Sequence, residues 1–220
     1  MKRAVVFGTA EFSQVAMVYL RDDSEFEIEA FTVDERFITD TTLLGLPVVP
    51  FEELARSHPP SEFAIFLGVG YSKVNANRRD LYAACRKAGY AVPTYVHSSV
   101  HRWPETQIGQ ACFIFENNVI QPFVRIGDNC VLWSGNHIGH HTAIGDNVFI
   151  ASHAVISGNC TIGDNCFIGV NATFRDGAKI GANGVIGAGA IVLKDTVEGG
   201  VYKGLNTEAQ ERRSDELRRI

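Results

Sequence analysis

The chain has 220 residues, a length that suits one large domain or two small ones. A hydrophobic content of 45% supplies a sizeable core, and a formal charge of −5 speaks against a nucleic-acid footprint. No apolar run approaches the roughly 20 residues of a membrane span, the opening "MKRAVVFGTAEF" turns polar too soon for a signal peptide, and five cysteines show neither CxxC pairing nor zinc spacing. A reduced, cytoplasmic protein without membrane insertion is expected.

Residues 1–100 alternate strand-like and helix-like runs. "RAVVFG" reads as a buried strand, "EFSQVAMVYLRD" as a helix and "FEIEAFTVD" as a second strand. "FAIFLGVG" is a further apolar strand, and "YSKVNANRRDLYAACRKAG" places Val74, Leu81, Ala84 and Cys85 on one helical side. "AVPTYVHSSV" reads as a last strand and "HRWPETQ" as a boundary. Such alternation favours a small Rossmann-like parallel sheet, with its ligand crevice at the strand ends.

Residues 101–205 follow a different rule. From Ile108 to Val192, every sixth residue is large and apolar, fifteen in unbroken register. Glycine often follows the anchor, and the fourth residue after it is commonly small, as at Cys112, Cys130, Thr142, Ala154, Cys160 and Cys166. A six-residue period is the signature of a parallel β-helix. Each short strand turns its anchor inward, the small residue rounds the corner, and three hexads close one triangular coil of eighteen residues. Each fully buried isoleucine contributes about 1.5–3 kcal/mol. Four cysteines fall in the small inward slots and read as packing residues. Residues 206–220 read as a C-terminal helical cap, with Thr207 and Gln210 as a capping box. Its charge order suits the helix dipole, Glu208 and Glu211 leading and Arg218 and Arg219 closing.

An α/β half, a hexapeptide half, the segment "GHHTAIG" and the later "GVYKG" together resemble bacterial sugar-nucleotide N-acetyltransferases of the hexapeptide class. Their relatives act in bacillosamine and perosamine pathways, and sialic-acid O-acetyltransferases are similar. The resemblance covers essentially the whole chain. It implies a left-handed β-helix, a homotrimer, and acetyl-CoA lying between neighbouring β-helices. It also implies an acceptor that is a nucleotide-linked amino sugar, with no metal required.

His140 and His141 occupy the third and fourth positions of their hexad, which point away from the column. The resemblance makes His140 the general base, and His141 stands where the family has a carboxylate. A second imidazole orients the first without a full counter-charge, so His141 as the base stays open. Gly158 matches the family's oxyanion donor, and Val170 and Ala188 match positions along the coenzyme groove. Phe149 replaces a family histidine near the coenzyme, for which His153 is a local candidate. His137 reads as an interface residue, and His58, His97 and His101 receive no role.

At the nucleotide end the resemblance implies substrate contacts from Gly8, Ala10, Asp34, Glu35, Gly70, Asn75 and Arg78. The turn "FGTAEFSQ" departs from the family by placing Glu11 and Phe12 where glycine and histidine are common. In "VYKGLNT", the usual Asn-Pro-Ala is missing. Two other function classes fit the same repeat. One is a gamma-type carbonic anhydrase, whose histidines hold a metal across an interface, and the other is a non-catalytic binder.

Overall fold

The computed structural model describes residues 2–208. The expected helical cap, including Gln210, Glu211, Arg218 and Arg219, lies outside the described residues apart from 206–208, which form no regular element.

The first half is a five-stranded sheet built from β1 (Lys2–Phe7), β2 (Phe26–Val33), β3 (Thr42–Leu43), β4 (Leu46–Pro50) and β5 (Phe63–Leu67). Its order is β3-β4-β2-β1-β5, parallel except for the β3–β4 hairpin. β1 is an inner strand with β5 beside it at the edge, and the apolar runs Ala4–Phe7 and Phe63–Leu67 are buried along their length, as a sheet covered on both faces requires. The helices are α1 (Glu11–Asp23), the single-turn α2 (Leu54–Ser57) and α3 (Ala76–Lys87). Chain direction across the sheet switches between β1 and β5, where Gly8 and Gly68 meet. A methyl at Gly8 would lie 2.8 Å from the Gly68 carbonyl, so this contact admits only glycine.

The second half is a parallel β-helix whose two-residue strands pair with those eighteen residues away, for example Phe149–Ile150 between Val131–Leu132 and Phe167–Ile168. Fourteen of the fifteen anchors are buried and Ile108 is half-buried. The small inward slots fill as expected, with Cys112, Cys130, Cys160 and Cys166 all buried. Two strand expectations change. Tyr95–Val96 pairs with Phe113–Ile114, and His101–Arg102 pairs with Val119–Ile120, so both segments already belong to β-helix sheets. Neighbouring coils offer them a full ladder, whereas the α/β sheet gains there only the bridge Ala64–Ala91.

The three faces differ in their outward residues. On the first, Phe113, Val131 and Phe149 are buried, because the α/β half packs over them and shares their core. On the second, His101, Val119, His137, Val155, Thr173 and Ile191 form an outward column, with Val155 and Ile191 exposed. The third carries Gln107, Arg125, Ala143, Thr161 and Lys179 and faces solvent.

Candidate active site

At each corner the fourth residue of a hexad turns with positive φ, a conformation that suits Asn and Gly. Most corners obey, from Asn117 to Gly189. The exceptions are Ala111, Phe123, His141 and His153. Phe123 and His141 sit one above the other at the corner between the second and third faces, with rings 4.7 Å apart. Side chains held where Asn would be easier point to a local demand other than folding.

His140 precedes His141 at this corner, and its amide donates to Gln121 Oε1 at 2.9 Å. The two Nδ1 atoms are 3.2 Å apart, so one ring donates and the other accepts. With the proton on His140 Nδ1, its Nε2 carries the lone pair and faces the coil above. A methyl at Gly158 would lie 2.7 Å from His140 Nε2 and 2.9 Å from Asp176 Oδ1. Glycine is required here because a side chain would collide with the His140 ring, while its backbone dihedral is unremarkable. Among the described residues the Gly158 N–H donates to no acceptor. The His140 ring and the Asp176 carboxylate therefore both pack against the Gly158 backbone. Asp176 was not singled out from the sequence. Its signal was present: it stands eighteen residues beyond Gly158, directly one coil on.

A second group gathers at a different corner, between the first and second faces. Gly70, Tyr71, Phe12, Trp133, Val170 and Ala188 line a cleft of about 370 Å³ with Ser152 at its edge. This cleft joins a residue expected at the substrate to two expected at the coenzyme. His153 projects from the same corner, exposed, against Gly135 of the coil below. Phe149 lines the cleft and stacks with Phe167, so its aromatic face supports packing where an imidazole would titrate. The His140 corner and this cleft lie at opposite edges of the second face.

Gly8, Ala10, Asp34 and Glu35 cluster at the C-terminal ends of β1 and β2. Ala10 is the N-cap of α1, Asp34 Oδ2 lies 3.3 Å from Arg36, and the Glu35 amide donates to Glu52. Glu11, in the first turn of α1, is exposed.

Asn75 and Arg78, expected at the substrate, are instead buried and engaged within the protein. Lys73, Val74 and Asn75 all have positive φ, so α3 starts only at Ala76 and Val74 lies outside it. Asn75 is buried and its Nδ2 donates to the Cys166 carbonyl. Arg78 is 2% exposed, and its guanidinium donates to the carbonyls of Leu67, Val69, Ala111 and Asn129. Burial pushes its pKa down to about 10, which leaves it charged at neutral pH. It clasps the α/β half to the β-helix. The sequence showed an arginine after a glycine-rich loop, a pattern shared by phosphate binders and by such clasps.

Among the described residues, no three His, Cys, Asp or Glu side chains of one chain are grouped as a metal would require. No described helix is long and apolar enough to cross a membrane.

The six-residue repeat is that of the bacterial transferase hexapeptide (six repeats), matched over residues 105–140 and 159–194. The chain is similar in fold to the acetyltransferase domain of PglB from Neisseria gonorrhoeae, at 25% identity and a TM-score of 0.81, covering 93% of this chain and 97% of that one. The same domain is known in complex with acetyl coenzyme A. PerB from Caulobacter crescentus, solved with CoA and GDP-perosamine, is 22% identical with a TM-score of 0.81, covering 93% and 95%. WeeI from Acinetobacter baumannii is 23% identical with a TM-score of 0.79, covering 91% and 96%. No curated protein matches the sequence.

Proposed function

We propose that this protein is an acetyl-CoA-dependent N-acetyltransferase acting on the amino group of a nucleotide-linked amino-deoxy sugar. The observation that carries the reading is the His140–His141 pair poised beside Gly158. The similarity to an acetyltransferase domain and to a protein solved with CoA and GDP-perosamine supports it. In the reaction, the amine lone pair attacks the thioester carbonyl while His140 Nε2 takes one amine proton, a role that contributes about 10²–10⁴-fold. The Gly158 N–H receives the charge that develops on the carbonyl oxygen. Collapse expels the thiolate, which regains the proton from His140. The products are an amide and free coenzyme thiol.

The working unit in this reading is a homotrimer. Within one chain the base and the Val170–Ala188 cleft lie at opposite edges of the second face. A neighbour docked on that face would bring its own cleft to His140, and would cover Val155 and Ile191. The nucleotide is held by Gly8, Ala10, Asp34, Glu35 and Gly70. Val170, Ala188 and His153 face the coenzyme. The protein works in the cytoplasm, where both substrates are made.

The test is thiol release from acetyl-CoA with a panel of nucleotide-linked 3-amino and 4-amino sugars, GDP-perosamine among them. Turnover on one member that disappears in His140→Asn supports the reading. Absence of turnover on every member overturns it.

A further inference from the structure

We infer that Asp176 is the second contact of the acceptor's reacting atom, and that it selects an amine over a hydroxyl. This inference rests on the acetyltransferase reading and adds a specificity residue to it.

The case begins with what aspartates at this repeat position otherwise do. At the corner between the third and first faces, each third-position aspartate caps the amide one coil below. Asp128 Oδ1 accepts from Gln110 N at 2.7 Å, Asp146 Oδ1 from Asp128 N at 2.7 Å, and Asp164 Oδ1 from Asp146 N at 2.8 Å. Asp176 has the same place in its hexad and Gly158 directly below it, yet the Gly158 amide donates to nothing among the described residues. The nearby cations do not engage it either. Arg175 faces Asp195 at 3.8 Å, and Asp195 also accepts the Lys179 amide. Asp176 is exposed and its carboxylate has no structural task among the described residues.

Its direction supplies the rest. The point that a Gly158 methyl would occupy is 2.9 Å from Asp176 Oδ1 and 2.7 Å from His140 Nε2. No ligand atom can occupy that point, a bond length from the Gly158 Cα, but it bounds the separation of the two groups, which are not paired with each other. Within that bound an atom standing farther out from the column can reach both at ordinary donor–acceptor distances of about 2.8 Å. Both are acceptors when His140 is ready to act as a base. A primary amine has two N–H groups, one for each acceptor, and keeps its lone pair for the carbonyl. A hydroxyl has one hydrogen. Bound to His140, it would turn an oxygen lone pair toward the Asp176 carboxylate, which is repulsive. As the C–N bond forms, nitrogen becomes positive and the carboxylate favours it, while the carbonyl oxygen turns to the Gly158 amide. One proton then passes to His140, and the other stays on the amide product.

The experiment compares wild type, Asp176→Asn and Asp164→Asn, using acetyl-CoA with the amino sugar that wild type accepts and with its hydroxyl counterpart. Asp164→Asn reports the cost of losing an ordinary amide cap. Asp176→Asn is expected to lower kcat/KM on the amine by about 10–100-fold, the range for a hydrogen bond to a charged group. The KM for acetyl-CoA should stay unchanged, and turnover of the hydroxyl sugar should hold or rise. Asp164→Asn should lower the melting temperature and leave the amine-to-hydroxyl ratio alone. An unchanged kcat/KM and ratio in Asp176→Asn would overturn the inference by itself and make Asp176 a cap for Gly158. No turnover by wild type on any amine would overturn the acetyltransferase reading, and this inference with it.

Discussion

His140 and His141 meet through their Nδ1 atoms at 3.2 Å, with ring planes nearly perpendicular. The contact fixes which nitrogen of His140 is left for chemistry. When His140 donates through Nδ1, Nε2 is the basic atom, and Nε2 is the one beside Gly158. In the proposed reaction His141 would do the orienting work of a carboxylate without its charge.

From that division of labour, His140→Asn should lose about 10²–10⁴-fold in kcat, the usual contribution of a general base. His141→Asn should lose less, because Nε2 of His140 survives. Asn is comfortable at the positive φ of position 141, so the second variant should fold. Steady-state thiol release from both proteins decides the matter. Equal losses would mean that the pair acts as one unit, and a larger loss at 141 would make His141 the base.

Phe123 should trade stability for activity. It is half exposed, and its backbone is held at φ 66, where a bulky residue is strained by about 1–2 kcal/mol. Phe123→Asn should therefore raise the melting temperature by about 2–4 °C. It also removes the ring that lies 4.7 Å from His141, so kcat should fall. A melting curve and a turnover assay on the same sample read both signs.

Arg78→Met should destabilise the whole protein. Several main-chain carbonyls buried at the junction would lose their donor, at about 1–3 kcal/mol each where water cannot replace it. Acceptor KM at a temperature where the variant remains folded should not change, because the side chain does not reach the substrate. A raised KM with an unaltered melting temperature would restore the substrate-binding role.

Acid should loosen the junction between the two halves. Burial pushes the Asp23 carboxyl up, but hydrogen bonds from Ser98 and from the Tyr95 hydroxyl at 2.9 Å outweigh it and hold the group below its ordinary range. Glu116 behaves alike: burial raises it, while Ser134 and the Tyr19 hydroxyl prevail and lower it. A depressed folded-state pKa adds stability that is full above the ordinary carboxylate value of about 4 and is lost as pH falls through the folded value. Melting temperature should drop from pH 5 toward pH 3, and the slope should flatten in an Asp23→Asn, Glu116→Gln double variant. An identical slope in that variant would place the acid sensitivity elsewhere.

The β-helix was legible in the sequence because its physics is local and repeated. One inward anchor every six residues can be read without knowing what packs outside it, and Ile114 through Val192 are buried for that reason alone. The candidate base came from the family resemblance of "GHHTAIG" and from the outward third and fourth positions of its hexad. Other features needed the folded chain. Whether Arg78 meets a phosphate or four carbonyls depends on how the α/β half docks, and that contact is made by residues up to 51 positions away. Asp176 approaches His140 only because coils stack with Gly158 between them. The outward residues of the second face show the same boundary. Val155 and Ile191 each stand just before an inward anchor, and only the packed α/β half revealed which face was already covered and which was left bare. Periodicity fixes what a residue does within its own coil, whereas a site built from several coils and two packed halves takes its chemistry from distances that only tertiary packing sets.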